Sequence, residues 1–208
     1  EMCIRDRENI MRVTDLDAQI PDQIGHAFGY YDYGEEIGMD SFFRSKDAVA
    51  DYIAGYVRMA FAGGMLYGIR EPGRGYIAYK LPGQKLGFGA SMELVKALFH
   101  SMSLKEIFRM GVAISKGGTS LEDRMKKAKK PCIFVGMVCV PEEFQGQGYM
   151  RSVMELAYAE GNRLKVPVIL ETDAKSKCDK YIHLGMHLEG IRDLGNYGKL
   201  YDLIKYPD

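Results

Sequence analysis

An apolar run over residues 132–140 stops at Pro141, and an amphipathic segment begins at about Tyr149. Between them lies Glu142-Glu143-Phe144-Gln145-Gly146-Gln147-Gly148, a short polar loop with two glycines. The order predicts a buried strand, a tight loop and a helix that opens straight out of the loop. The helix is expected over 149–165, with Met150, Val153, Met154 and Ala157 on one face. A second buried strand is expected over 166–172, with Pro167 at its start, where proline is tolerated. Strand, helix, strand over this length is a crossover unit, so the two strands should be parallel and the connection right-handed. Helix-entry N–H groups lack intrahelical acceptors, so the loop and the helix start suit an anionic phosphate. A phosphate-bearing cofactor is the first functional expectation.

The rest of the chain reads as punctuation around this unit. Residues 16–28 are a short helix candidate interrupted by Pro21, and residues 30–36, Tyr-Tyr-Asp-Tyr-Gly-Glu-Glu, are an aperiodic acidic and aromatic loop. Ser45 is placed to cap a helix carrying Val49, Ile53, Tyr56, Val57 and Ala60, which Gly63-Gly64 ends. Strands at 65–69 and 76–80 flank the turn Glu71-Pro72-Gly73-Arg74-Gly75 and make a hairpin. Residues 81–90 read as loop, and a helical insertion covers 92–130. Its last helix has a capping-box spacing, Thr119 and Glu122, and a basic end with Arg124, Lys126, Lys127, Lys129 and Lys130. After a short helix at 176–184, residues 186–193 and 197–205 form a closing hairpin around Gly195-Asn196. Residues 1–10 carry no period and read as a tag-like extension, with Met11 as the natural start.

Length and charge bound the answer. One domain is the default for 208 residues, and the 28 basic residues balance the 28 acidic ones. That balance gives no footprint for nucleic acid or an anionic membrane. No apolar run approaches the ~18 residues of a membrane span, and no signal peptide is evident. The four cysteines, Cys3, Cys132, Cys139 and Cys178, show no metal-site spacing. Cys132 and Cys139 stand an odd number of residues apart on one strand, so they should face opposite sides. Reduced core cysteines in a cytoplasmic protein are the expectation.

The residues now quoted carry a resemblance. Gln145 and Gly148 match the first and fourth positions of the Gln/Arg-x-x-Gly-x-Gly/Ala acyl-coenzyme-A motif of the GNAT superfamily of N-acyltransferases, with Met150 at the sixth. Tyr181-Ile182-His183-Leu184-Gly185-Met186 is similar to that family's Tyr-x-x-x-Gly-Phe. Leu170-Glu171-Thr172 stands eleven residues ahead of Tyr181, counted from the leucine, and with the helical insertion resembles the puromycin N-acetyltransferase-like branch. The resemblance spans roughly residues 45–205. It implies a mixed α/β fold with a mostly antiparallel sheet, a central splayed parallel strand pair and helices on both faces.

It also implies the chemistry: transfer of an acetyl or other short acyl group from coenzyme A to a primary amine of a small molecule, without a metal. Pantetheine would pair with backbone near Val138 and Val140, and the pyrophosphate would rest on Gln145, Gly146, Gln147, Gly148, Tyr149, Met150 and Arg151. Tyr181 would protonate the leaving thiolate. Glu171, or Asp173 two residues on, would take the amine proton directly or through water. Family patterns often place an asparagine where this chain has Lys177. Tyr31, Asp32 and Tyr33 are candidates for an acceptor pocket, since aromatic faces and a carboxylate attract a cation. No cysteine has an evident basic partner, which favours direct transfer in a ternary complex over an acyl-enzyme. The rival reading is a non-catalytic acyl-CoA-binding module, and either would act as monomer or homodimer.

Overall fold

The computed structural model describes residues 10–69 and 73–208. In chain order the elements are β1 (Ile10–Arg12), α1 (Gln19–Gly29), α2 (Lys46–Ala62), β2 (Leu66–Ile69), β3 (Tyr76–Lys80), α3 (Phe88–Ser101), α4 (Leu104–Lys116), α5 (Leu121–Lys127), β4 (Ile133–Cys139), α6 (Tyr149–Leu164), β5 (Val168–Thr172), α7 (Lys175–His183), β6 (His187–Asp193) and β7 (Lys199–Lys205). The strands form one sheet in the order β1-β2-β3-β4-β5-β7-β6. Only β4 and β5 run parallel; every other pair is antiparallel. The expected mixed, mostly antiparallel α/β architecture is therefore present. Among the described residues no helix is long and apolar enough to cross a membrane.

Helices cover both faces. On one, Val153, Met154 and Ala157 of α6 and Cys178 of α7 pack over Ile77, Tyr79, Ile133, Val135, Leu170 and Leu203. On the other, Ile24 of α1 and Val49, Ile53 and Val57 of α2 pack over Leu66, Tyr76, Ala78, Met137 and Cys139. Further along that second face, Leu121 of α5 covers Ile169 and Ile204.

The most consequential irregularity is in β4. Ala78 pairs with Met137 but Tyr79 pairs with Val135, so Gly136 is an extra, unpaired residue. Such a bulge shifts the side-chain alternation by one and twists the strand. Ile133 and Val135 face α6, whereas Met137 and Cys139 face α2. A Cβ on Gly136 would lie 1.9 Å from the Tyr56 hydroxyl, so the α2 tyrosine crosses directly over the bulge. The buried strand expected over this run is present as β4, covered by helices on both faces and interrupted by the bulge. The parity argument for the cysteines fails: Cys132 and Cys139 share the face opposite α6, under α5 and α2 respectively.

Other boundaries moved for local reasons. Pro21 does not interrupt α1, because it sits in the first turn, where no N–H is needed. Ser45 caps α2 by accepting the Ala48 N–H at 3.1 Å. The α5 cap is Ser120, accepting from Asp123, one residue beyond the expected Thr119. The full reciprocal capping box belongs instead to Ser103 and Glu106 at α4. Ile10, set aside with the N-terminal extension, pairs with Ile69 in β1. Residues 1–9 with Cys3, and Glu71-Pro72 of the expected turn, lie outside the described residues.

Candidate active site

Beyond the bulge the two parallel strands part. Their register is Ile133 with Val168, Phe134 with Ile169 and Val135 with Leu170, and it goes no further. On its other edge β5 stays paired with β7 through Thr172. Residues 136–140 of the first strand therefore border a gap, and half-buried Val138 and Val140 lie along it.

The glycine loop closes one end of that gap. Pro141 starts a single 3-10 turn, Glu142–Phe144, whose last bond runs from the Gln145 N–H to the Glu142 carbonyl at 3.1 Å. That N–H is consequently not available to a ligand. Gly146 and Gly148 adopt φ of +75° and +87°, a region that favours glycine, and a Cβ on either would meet open space. Side chains fold back to brace the turn: Gln145 donates to the Val140 carbonyl at 3.2 Å and Gln147 to the Glu143 carbonyl at 3.0 Å. The first closed bond of α6 is Ser152 N–H to Gly148 carbonyl at 3.1 Å. The N–H groups of Gly146, Gln147, Gly148, Tyr149, Met150 and Arg151 have no acceptor among the described residues. Arg74 holds the loop from the β2–β3 side: it donates to the Tyr149 hydroxyl and lies over the Phe144 and Tyr149 rings at 5.5 and 5.6 Å. Exposed donors, two unobstructed glycines and a nearby guanidinium fit a pyrophosphate.

Tyr181 lies near the ends of the same two strands. It lies on α7, which Gly185 ends at φ +92°, with the Met186 N–H returning to the Tyr181 carbonyl at 3.1 Å. Met186 then drops into the core, so the Tyr-x-x-x-Gly-Met pattern locks the helix end and the tyrosine's position. Burial raises the Tyr181 hydroxyl above the usual tyrosine range, and the nearby Asp173 carboxylate raises it further; Cys139 and Tyr31 are also its neighbours. Cys139 ends β4 and Asp173 follows β5, so the phenol lies beside the ends of the two strands, beyond the point where they part.

Asp173 anchors the surroundings of that phenol. One carboxylate oxygen accepts the Tyr33 hydroxyl at 2.6 Å and the Met39 N–H at 2.8 Å; the other takes the Lys177 ammonium at 2.8 Å. Burial pushes its carboxyl up, but the Lys177 charge and the donated bonds more than offset this, and the net direction is down. Lys177 also donates to the Tyr33 hydroxyl at 3.1 Å and lies 4.2 Å above the Tyr31 ring and 4.4 Å above the Tyr33 ring. The aromatic pocket read as a receptor for a substrate cation thus holds the chain's own ammonium. Asp32 is not part of it: exposed, it accepts the Gly34 N–H at 2.8 Å and stabilises its own turn. Glu36 reaches across to α7, accepting the Lys175 and Ser176 N–H groups, so the 30–37 loop supplies that helix's cap.

Glu171 keeps different company. Its carboxylate pairs with Arg192 at 2.5 Å, and Arg192 also binds Asp202 at 3.0 Å, which in turn holds Arg124 at 3.0 Å. Burial, the largest influence, raises its carboxyl above the usual range despite Arg192. Its neighbours, Arg192, Asp202 and the Leu121 N–H, include none of those around Tyr181. The sequence reading missed this ion-pair tetrad, whose central members Arg192 and Asp202 are buried, and missed Lys177 as the cation of the tyrosine cage. The i, i+4 spacing of Asp173 and Lys177 was the available signal.

No family model matches the sequence, nor does any curated protein. Solved structures do share the fold. An acetyltransferase from Corynebacterium glutamicum, described as a histone acetyltransferase and related acetyltransferase, is 12% identical, covers 96% of each chain and has a TM-score of 0.59. Arylalkylamine N-acetyltransferase 2 of Aedes aegypti is 12% identical over 96% of this chain and 100% of its own, with a TM-score of 0.57. The polyamine N-acetyltransferase of Drosophila melanogaster is 14% identical over 95% and 100%, with a TM-score of 0.53. At these identities the likeness is one of fold, and the fold of this chain is that of the N-acetyltransferases it is similar to.

Proposed function

We propose that the protein is an N-acyltransferase of the GNAT superfamily that moves an acetyl or other short acyl group from coenzyme A to a primary amine of a small molecule. The observation that carries this is the gap after Val135 and Leu170, with Tyr181 near the ends of the two strands and a cradle of N–H groups in the loop that follows Val140. In this reading the pyrophosphate rests on the N–H groups of Gly146 to Arg151, and pantetheine runs along residues 136–140. Coenzyme A supplies the activated acyl group as a thioester. The helical insertion between β3 and β4 and the Leu170-to-Tyr181 spacing favour the puromycin N-acetyltransferase-like branch. The neighbours named for arylalkylamines and polyamines support a small amine acceptor.

The chain's own groups then divide the work. The neutral amine nitrogen bonds to the thioester carbon and the carbon–sulfur bond breaks. Tyr181, kept protonated by burial, gives its proton to the departing thiolate. Asp173, not Glu171, is the carboxylate beside the acceptor. It is held ionised, which makes it a weak direct base, so the amine proton leaves through water. Glu171 is tied to Arg192 and fixes β5 against its neighbours. Cys139 takes no part: burial pushes its thiol up to about 12. The test is free-thiol release from acetyl-CoA across a library of primary amines. Turnover that falls in Tyr181→Phe, with coenzyme A affinity unchanged, supports the transferase. Tight acyl-CoA binding with no turnover on any amine favours the non-catalytic binding module.

A further inference from the structure

Asp173 binds Lys177 near Tyr181, and it lines a cavity of about 150 Å³ bounded by Phe42, Phe43, Tyr52, Met110 and Leu200. A cavity of this size with apolar walls accepts a benzene-sized group. Besides Asp173, its charged lining is Lys199. The carboxylate is already committed. Three donors fill three of its roughly four acceptor positions, and its charge is matched by Lys177. Lys177 and Asp173 are nearly buried, with side chains 16% and 14% exposed, so solvent does little to screen the pair. With Lys177 bound to Asp173 and Lys199 across the cavity, a second positive charge entering here meets net repulsion.

Resting on the transferase reading, we propose that this cavity is the acceptor's side-chain site, and that Lys177 is a specificity-determining residue that selects monoamines with a compact apolar group and rejects diamines. The reacting amine of the acceptor points to the gap and Tyr181; its other end enters the cavity. Lys177 already neutralises Asp173, the carboxylate that lines the cavity, so a diamine's distal ammonium entering there finds no free counter-charge. An apolar end group needs none and fills the space against Phe42 and Leu200.

Two amines of equal shape test this: n-pentylamine, and 1,4-diaminobutane, in which an ammonium replaces the terminal methyl. Each is titrated calorimetrically into the full-length protein saturated with coenzyme A. The wild type should bind n-pentylamine about 10-fold or more tightly than the diamine. In Lys177→Met the released carboxylate accepts the second ammonium, and the ratio should fall to unity or invert. Leu200→Phe should weaken n-pentylamine while leaving coenzyme A affinity unchanged, which keeps the test decisive if Lys177→Met does not fold. Equal affinities in the wild type, a ratio unmoved by Lys177→Met, unaltered n-pentylamine binding to Leu200→Phe, or no binding of either amine would overturn the proposal. Thiol release measured in parallel separates the two readings. Selective binding without turnover upholds the cavity and removes the transferase; turnover without selectivity does the reverse.

Discussion

Replacing Asp173 by alanine strikes the point where the 30–37 loop, the segment after β5 and α7 are joined. The change removes the acceptor for the Tyr33 hydroxyl, the Met39 N–H and the Lys177 ammonium together. It leaves Lys177 largely buried with only the hydroxyl and ring faces of the tyrosines for company. Breaking one side of a buried ion pair costs about 3–5 kcal/mol. For a chain of this length that corresponds to a fall in Tm of roughly 10 °C. Urea denaturation at pH 7 reads the loss directly. Lys177→Met in the same background removes the stranded cation, so the double variant should lose about 1–3 kcal/mol less than the sum of the singles. The acid dependence has a definite sign. The folded carboxyl is held below its ordinary 3.8, so its contribution is complete above that value and disappears as pH falls through the lower folded value. An Asp173→Ala loss under ~1 kcal/mol, or additive singles, would show that the cluster is not the structural joint described here.

The remaining predictions concern the site. Tyr181→Phe should lower kcat by about 100-fold while calorimetric coenzyme A affinity stays within twofold, at the lower end of what a positioned acid contributes. Gly148→Val should cost about 1–2 kcal/mol of stability, because Gly148 holds φ +87°, and should weaken coenzyme A binding in the same titration. Cys139 should resist iodoacetamide at pH 7.5 in the folded protein and react after unfolding, since burial closes it off and pushes its thiol up to about 12; mass spectrometry of the labelled peptides checks this.

The parts of this fold legible in the sequence are those where one local cause dominates. Ser45 announced a helix start because a hydroxyl three residues ahead of a free N–H is a sufficient cap. The β4–α6–β5 unit was readable because its apolar period, prolines and glycines agree. The bulge was not. Gly136 in an apolar run looks like a small core residue, and only the approach of Tyr56 from a distant helix explains it. Asp32 and Asp173 show the same divide within the site. Both are short acids near tyrosines, but one bonds two residues along its own chain and the other bonds a partner 140 residues away. Arg192, on a strand near the end of the chain, gave no hint of burial until Asp202 and Glu171 were found beside it.

The extra residue at position 136 also divides labour among mutations. Substitutions at Val135 perturb packing beneath α6, whereas substitutions at Met137, only two positions on, perturb packing beneath α2. Deleting Gly136 would bring Val135 and Met137 next to each other in β4, each still facing the layer it faces now, and would take the bulge's twist out of the strand where it leaves β5.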